Sequence, residues 1–350
     1  MQFDIQIAHS VEEIGQEAWD RLSQDRPFSS YRWYRYGEKV MGANLPIYIV
    51  LSVQNEPVAR GTFWLVRNEP LPLSEPARSI FQIILQRWPL MICRSPLTEM
   101  SGLIVPESSL RDEALTTIVR VARDQAQQHR ASFVAVTYLE RQESEWDCWS
   151  NGFISFKFSE PGTCMNIAWP DFEGYLKHLS KSARKDYKRH CRFANEQGIR
   201  IIRGQTPAAG SLEFDKAMTL ITNVTHRHDS PLPWARSMLE YAGMVGYTWI
   251  TAEKDGSMVG CGILLEDGDH RLFKLIGLDY SVKYVYFQLF YERIRCAIEQ
   301  GARFLWGGSG IYEFKQHIGF HMMNREYLVW TAMNTRVQKL VRVLIHRFLN

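Results

Sequence analysis

Tyr247-Thr248-Trp249-Ile250-Thr251-Ala252 and Met258-Val259-Gly260-Cys261-Gly262-Ile263-Leu264-Leu265 flank the turn Lys254-Asp255-Gly256-Ser257. Both runs are rich in β-branched, aromatic and aliphatic residues, and an Asp-Gly pair sits between them. That combination predicts a β-hairpin. Leu272–Leu278 follows as a third strand. Val282–Glu299 has helical spacing and stops at Gly301, and Arg303–Trp306 is a further strand. A glycine-rich turn, a short helix near Tyr312–His317 and a strand Glu326–Thr331 complete this half. Before the hairpin stand a long polar helix from Phe172 to Gln197, a strand Ile199–Arg203, and helices Phe214–His228 and Trp234–Val245.

The first half has the same order. Phe3–Ala8 alternates as a strand, Val11–Leu22 has helical spacing, and Pro27-Phe28-Ser29-Ser30 precedes a short aromatic helix, Tyr31–Val40. Strands Ile47–Val53 and Val58–Val66 join across Gln54-Asn55-Glu56-Pro57. Asn68–Met100 reads as an irregular apolar insertion with five prolines. Leu103–Val105 is a short strand, Arg111–Gln128 a helix and Phe133–Tyr138 a strand, with at least one more strand in Phe153–Ala168. The expected fold class is α/β with mixed sheets. Two domains repeat one architecture, 1–169 and 170–350, with a boundary near Trp169-Pro170 and no long linker.

The chain has 350 residues, 45% hydrophobic and 23% charged, which excludes disorder and fibrous repeats as descriptions of the whole. A net charge of +3 is too small to announce a nucleic-acid binder, so basic function has to be local. The N-terminal stretch lacks the basic and apolar regions of a signal peptide, and no run approaches the ~18–20 apolar residues of a membrane span. Cys93, Cys148, Cys164, Cys191, Cys261 and Cys296 are too far apart for a zinc or dithiol motif. Reduced thiols, a cytoplasmic location and no metal are the expectation.

The order of helices, three-strand meander, long helix and strand resembles the GNAT acyltransferase fold. Two such halves resemble the Fem-type aminoacyltransferases of peptidoglycan bridges and related tandem GNAT-like proteins. Three segments carry the likeness: the basic helix Tyr175–Arg189 with Gly198 after it, the strand Met258-Val259-Gly260-Cys261-Gly262, and Gly307-Gly308-Ser309-Gly310-Ile311-Tyr312-Glu313-Phe314-Lys315 before Gly319-Phe320. The last resembles the Phe-Lys segment of Fem-type enzymes, which implies that Lys315 lies at the reaction centre. Two extra residues separate Lys315 from Gly319-Phe320 here. GNAT enzymes also carry a glycine-rich Q/R-x-x-G-x-G/A loop for the CoA pyrophosphate. This chain has Leu278-Asp279-Tyr280-Ser281-Val282-Lys283-Tyr284-Val285-Tyr286 there, with no glycine.

Acyl transfer to an amine requires a base for the ammonium, donors for the oxyanion and an acid for the leaving group. Tyr312 and Lys315 are three apart, on one helical face, as acid and oxyanion stabiliser; Gly307, Gly308 and Gly310 admit a close backbone approach. The plainer alternative is a surface helix after a flexible turn. Thr225-His226-Arg227-His228-Asp229 offers His226 or His228 as base, oriented by Asp229, with Glu313 as the other candidate. A histidine that merely complements the helix C-terminus is the alternative. Ser281 as helix N-cap and Lys283 as counter-charge would receive a phosphate.

Lys177, Lys181, Lys185 and Arg189 form an i, i+4 stripe, with Arg184 beside it. The stripe, through Lys181, Arg184 and Lys185, suits the 3′-phosphate of CoA, a carrier protein or a tRNA backbone, or else is a solvated face. The long helical arm of some Fem-type enzymes is not evident. Ile80–Ile92 is too apolar for a solvated loop: it completes the core, lines an acyl tunnel or touches a membrane. Val337–Leu349 is a basic amphipathic helix, docked on its own domain or lying at a membrane surface. The resulting expectation is an N-acyltransferase that uses an acyl thioester, with acyl-CoA as donor substrate, and an amine of a small molecule or peptide as acceptor. Fem-type transfer from aminoacyl-tRNA and a non-catalytic binding module are the alternatives.

Overall fold

The computed structural model describes residues 3–23, 26–69, 77–150, 152–157, 161–230 and 232–334. Contacts divide the chain into two units, Met1–Ser159 with Asn324–Asn350, and Glu160–Met323.

In the first unit the elements are β1 (Asp4–Ala8), α1 (Gln16–Ser23), α2 (Tyr31–Val40), β2 (Leu45–Val53), β3 (Glu56–Val66), α3 (Ala77–Arg87), β4 (Leu90–Cys93), β5 (Leu103–Ile104), α4 (Arg111–Gln128), β6 (Phe133–Leu139), α5 (Arg141–Ser144) and β7 (Ile154–Lys157). The second unit holds β8 (Thr163–Asn166), α6 (Phe172–His178), α7 (Lys181–Glu196), β9 (Arg200–Gly204), α8 (Leu212–Arg227), α9 (Ala235–Glu240), β10 (Gly246–Lys254), β11 (Ser257–Asp267), β12 (His270–Leu278), α10 (Val285–Glu299), β13 (Phe304–Trp306), α11 (Tyr312–His317) and β14 (His321–Met322). The chain then returns to the first unit as β15 (Tyr327–Ala332).

The first sheet runs β1-β2-β3-β4-β6-β15-β7, with β5 on β3. The second runs β14-β8-β13-β12-β11-β10-β9. Each contains one parallel pair, β4 with β6 and β12 with β13, and each parallel crossover is made by a long helix, α4 or α10. One apolar cluster fills each unit. In the second it gathers Val285, Leu289, Phe290, Ile294, Ala297 and Ile298 of α10 against Ile250, Ala252 and Leu264. Burial stabilises by ~1.5–3 kcal/mol for each Val, Leu, Ile or Phe among these, and by less for each Ala.

Several sequence expectations change here. Trp169 is not the switch between sheets: β8 precedes it yet pairs in the second sheet, and β15 leaves the second half to pair with β6 and β7. The segment 68–100 is not an insertion, because β4 within it is an interior strand between β3 and β6. The helix expected over 172–197 is two helices. Ser180 caps the second, its side chain accepting from the Ala183 amide, so Lys177 stands outside the Lys181–Lys185–Arg189 series. The helix expected at 234–245 ends at Glu240 and continues as a 3₁₀ turn, Ala242–Met244. Residues 337–349 lie outside the described residues. No helix among the described residues is long and apolar enough to cross a membrane.

Candidate functional site

The second sheet opens next to its parallel pair. β12 and β13 pair only from His270 to Leu272 against Phe304 to Trp306. Beyond that point β12 runs on to Leu278 and into α10, while β13 gives way to Gly307-Gly308-Ser309-Gly310. An irregularity in β12 lies at the divergence, since Gly262 faces Ile276 but Leu264 faces Phe273. The Leu275 carbonyl beside it accepts from Nη2 of buried Arg293 at 2.7 Å. Arg293 lies over the Phe273 ring, 3.3 Å from its centroid, and burial lowers its pKa to about 9. Gly262 is obligatory here, because a Cβ would occupy the place of that guanidinium.

A cavity of about 370 Å³ sits where β12 passes into α10. Its wall includes Asp279, Tyr280, Lys283, Tyr284, Tyr286 and Phe287. The first amides of α10 have no carbonyl one turn earlier to bond, so this end of the helix offers donors and a partial positive charge. Ser281 does not cap it. Its amide and hydroxyl both donate to Asp279 Oδ1, at 2.9 and 2.6 Å, and these bonds hold the Asp279 carboxyl below its usual pKa. Tyr284 precedes the helix instead, at φ +70°, a left-handed conformation that aromatic residues seldom adopt. Stacking compensates for this, because the Tyr284 ring lies on Phe193 of α7 at 5.1 Å and 21°. One turn on, Phe287 stacks on His190 of α7 at 3.9 Å and 17°. Burial lowers the pKa of His190, whose Nδ1 meets the Tyr291 hydroxyl at 3.2 Å.

The inner face of the basic helix thus forms the backing of the cavity wall. On its outer side Lys181, Lys185 and Lys188 are exposed and have no acidic partner among the described residues. Arg184 is committed elsewhere, donating to the carbonyls of Lys177 and Leu179 at the end of α6. Arg189 pairs with Asp186 at 2.8 Å.

One of the candidate histidines meets the wall of the same cavity. His228 follows α8 and its Nε2 meets the Tyr280 hydroxyl at 3.2 Å, while the Arg227 guanidinium lies 4.2 Å from the centroid of that ring. His226 and Asp229 are exposed, with Asp229 at φ +45°. Among the described residues no three of His, Cys, Asp and Glu gather as a metal group would.

Tyr312 and Lys315 share α11, but their polar atoms are tied to loops. The Tyr312 hydroxyl donates to the Pro161 carbonyl at 2.9 Å. Lys315 is 3% exposed, and its ammonium donates to the carbonyls of Gly308 (3.0 Å) and Ser309 (2.8 Å). The Gly308 carbonyl also accepts from the Thr163 amide and hydroxyl, at 3.0 and 2.7 Å. Positive φ at Gly308 (67°), Gly310 (76°) and Ile311 (50°) makes the turn sharp, and the β-branched Ile311 is strained there. Between Tyr312 and Lys315, Phe314 packs on Tyr286 at 5.7 Å and on Phe287 at 5.0 Å, so α11 abuts the cavity wall. Glu313 is exposed on α11. Sequence reasoning missed Thr163, His190, Tyr280, Tyr284 and Phe287. The aromatic run at 284–287 was the one available signal for the last two.

No curated protein sequence matches the chain. Its fold is similar to that of FemX, with a TM-score of 0.65 and 12% identity over 96% of this chain and 99% of that one. It is also similar to a tandem GNAT protein from the clavulanic acid biosynthesis pathway, solved without acetyl-CoA (TM-score 0.60, 10% identity, 95% and 99% covered). A third likeness is to the C-terminal DUF2156 domain of a putative lysylphosphatidylglycerol synthetase from Agrobacterium fabrum (TM-score 0.51, 11% identity, 95% of each chain). At such identities these show the fold, two tandem GNAT units. The family described as peptidoglycan biosynthesis/recognition matches residues 74–349, most of the chain and all of the site just described. The chain belongs to the FemAB-like family, transferases built on the GNAT fold.

Proposed function

We propose that the second unit transfers an aminoacyl group from an activated ester on tRNA to the amine of a peptidoglycan-type peptide. The observation that carries this reading is the make-up of the β12–α10 junction. A CoA pyrophosphate needs glycines for close approach and no anion beside it. The junction has instead an ionised Asp279, a left-handed tyrosine and three further aromatic rings. Aromatic rings accept a nucleobase by stacking, and the exposed lysines of α7 suit a polyphosphate backbone. The family match favours a peptide acceptor.

In the reaction the amine gives up its proton to His228 at the cavity rim and attacks the ester carbonyl. The oxyanion forms beside the glycine turn, whose backbone Lys315 backs with a fixed positive charge. Collapse of the intermediate breaks the ester C–O bond and returns the proton to the departing ribose oxygen. A second reading, with acyl-CoA as donor, rests on the bare N-terminus of α10 and on Lys283.

The purified protein, offered an amine-bearing muropeptide, separates the two. Aminoacyl-tRNA should give an amide product that RNase abolishes, and an acyl-CoA series should give none. Turnover with acyl-CoA alone overturns the proposal. Asp279→Asn supplies a second check: removal of the carboxylate should admit CoA binding that the parent chain lacks.

A further inference from the structure

One end of the first sheet carries a basic and apolar surface that the transfer reaction does not use. Strand register sets Val66, Leu90, Phe133 and Ala332 in one row across β3, β4, β6 and β15. Just outside that row lie Arg67, Trp88-Pro89, Arg130–Ser132 and Met333. They are stitched together, Ser132 N donating to Pro89 O (2.9 Å) and Met333 N to Ser132 O (2.8 Å). Arg67 Nη1 fastens the end of α3 to this row by donating to Gln86 O at 2.7 Å.

The outer side of α3 is apolar where it should be polar. Ile80 is 56% exposed, Ile83 68% and Trp88 51%. Ile80, Ile83 and Arg87 follow i, i+3, i+7 spacing and share one helical face. Arg67, Arg87 and Arg130 are exposed and have no carboxylate partner among the described residues. The nearby Glu69 is buried and held by both Nη atoms of Arg94. From Met333 the chain continues into residues 335–350, whose sequence holds Arg336, Lys339, Arg342 and Arg347 and no acid.

We propose that this end of the first unit docks on an anionic lipid bilayer. The α3 face and Trp88 enter the boundary between headgroups and acyl chains, and Arg67, Arg87 and Arg130 meet lipid phosphates. Isoleucines and an arginine on one helical face, with an exposed tryptophan just beyond its end, match that interface, where Trp is favoured and cations meet negative headgroups. Charge selects this occupant over a second copy of the chain. A two-fold contact through the same face would bring two sets of unpaired arginines together. The proposal does not depend on the identity of the acyl donor.

Vesicle flotation of the full chain tests it, with pure phosphatidylcholine against phosphatidylcholine containing phosphatidylglycerol. Binding is expected only with the anionic lipid and should fade in high salt. At about fivefold per arginine, the triple variant R67Q/R87Q/R130Q should bind roughly a hundredfold more weakly. Ile83→Glu should lose at least about tenfold. All four positions are exposed, and circular dichroism verifies that the variants fold. Equal binding to neutral vesicles, or none to either, overturns the proposal. So does retention by both variants when K339Q/R342Q abolishes binding, or a solution dimer that Ile83→Glu dissociates.

Discussion

Lys315→Met separates a chemical role for this lysine from a structural one. The substitution removes two ammonium-to-carbonyl hydrogen bonds, each worth roughly 1.5–3 kcal/mol in a charge-assisted pair. The net loss should be smaller. The Gly308 carbonyl keeps both Thr163 donors, Ser309 is an exposed residue whose carbonyl can turn to water, and a buried cation no longer has to be desolvated. About 1–2 kcal/mol remains, a fall in Tm of about 2–8 °C for a unit of this size. If the ammonium also stabilises the oxyanion through the glycine turn, kcat should fall about 10²–10³-fold. Thr163→Val is the control. It removes one hydrogen bond to the same Gly308 carbonyl with little change in shape and leaves the charge in place. Differential scanning calorimetry and initial rates on both variants decide the matter. A loss of kcat at least tenfold greater in Lys315→Met than in Thr163→Val, at similar Tm, is the expected result. Equal losses in the two would refute the reasoning and leave Lys315 as a fastener of the turn.

Two other perturbations address the same unit. In Gly307→Ala the new Cβ would stand 2.8 Å from Phe320 Cε1 and 2.9 Å from Thr163 Oγ1. That overpacking should cost about 1–3 kcal/mol by calorimetry, and the rate should fall with it as the turn shifts. Stability should also depend on pH. Burial is the main cause holding His190 and His270 below the ordinary imidazole pKa of about 6.5, so the unfolded chain takes up their protons first. The contribution of these two histidines should be flat above that value and decline as pH falls through it toward the lowered native values. His190→Phe keeps a ring on Phe287 and removes one of the two titrations, so its Tm should change less between pH 7.5 and 5.5 than that of the parent chain. An unchanged slope counts against His190 as a source.

Much of the architecture was legible because alternation and helical spacing are local signals. The hairpin β10–β11 and the crossover helices α4 and α10 stand where the sequence pattern put them. β4 was hidden because four apolar residues after Pro89 look the same in an interior strand as in a greasy loop. The role of β15 was hidden too. Its pattern says strand, but its pairing with β6 joins residues far apart in sequence. The break before α7 could have been read from Ser180, a good N-cap, had the charge spacing not suggested one continuous stripe. At the junction, Ser281 also looks like an N-cap, yet Asp279 two residues earlier claims it first. The left-handed Tyr284 has no sequence signature at all, because what holds it is a stack against Phe193 on another helix.

The two units contain the same parallel junction, and the difference between them is the physical ground for assigning the proposed chemistry to the second. In the first unit β4 and β6 pair from Leu90 to Cys93 against Phe133 to Val136. Just past the pairing, Thr137 Oγ1 donates to Cys93 O at 3.2 Å, and Arg94 grips Glu69 through two bonds of 2.5 and 2.8 Å. Trp64 Nε1 then donates to the Arg94 carbonyl at 3.2 Å. A buried, bidentate ion pair with its backbone carbonyl satisfied is costly to open, because separating it strands a charge in a low dielectric. In the second unit the corresponding strands diverge after Leu272 and Trp306 into glycines, exposed turn residues and the open end of α10. A ligand between β4 and β6 would first have to displace Arg94 from Glu69, whereas one between β12 and β13 meets backbone donors, aromatic rings and the positive field of Lys315. One topology thus has a junction closed by an ion pair in the first unit and a cavity beside it in the second, and that difference supports placing the proposed site in the second.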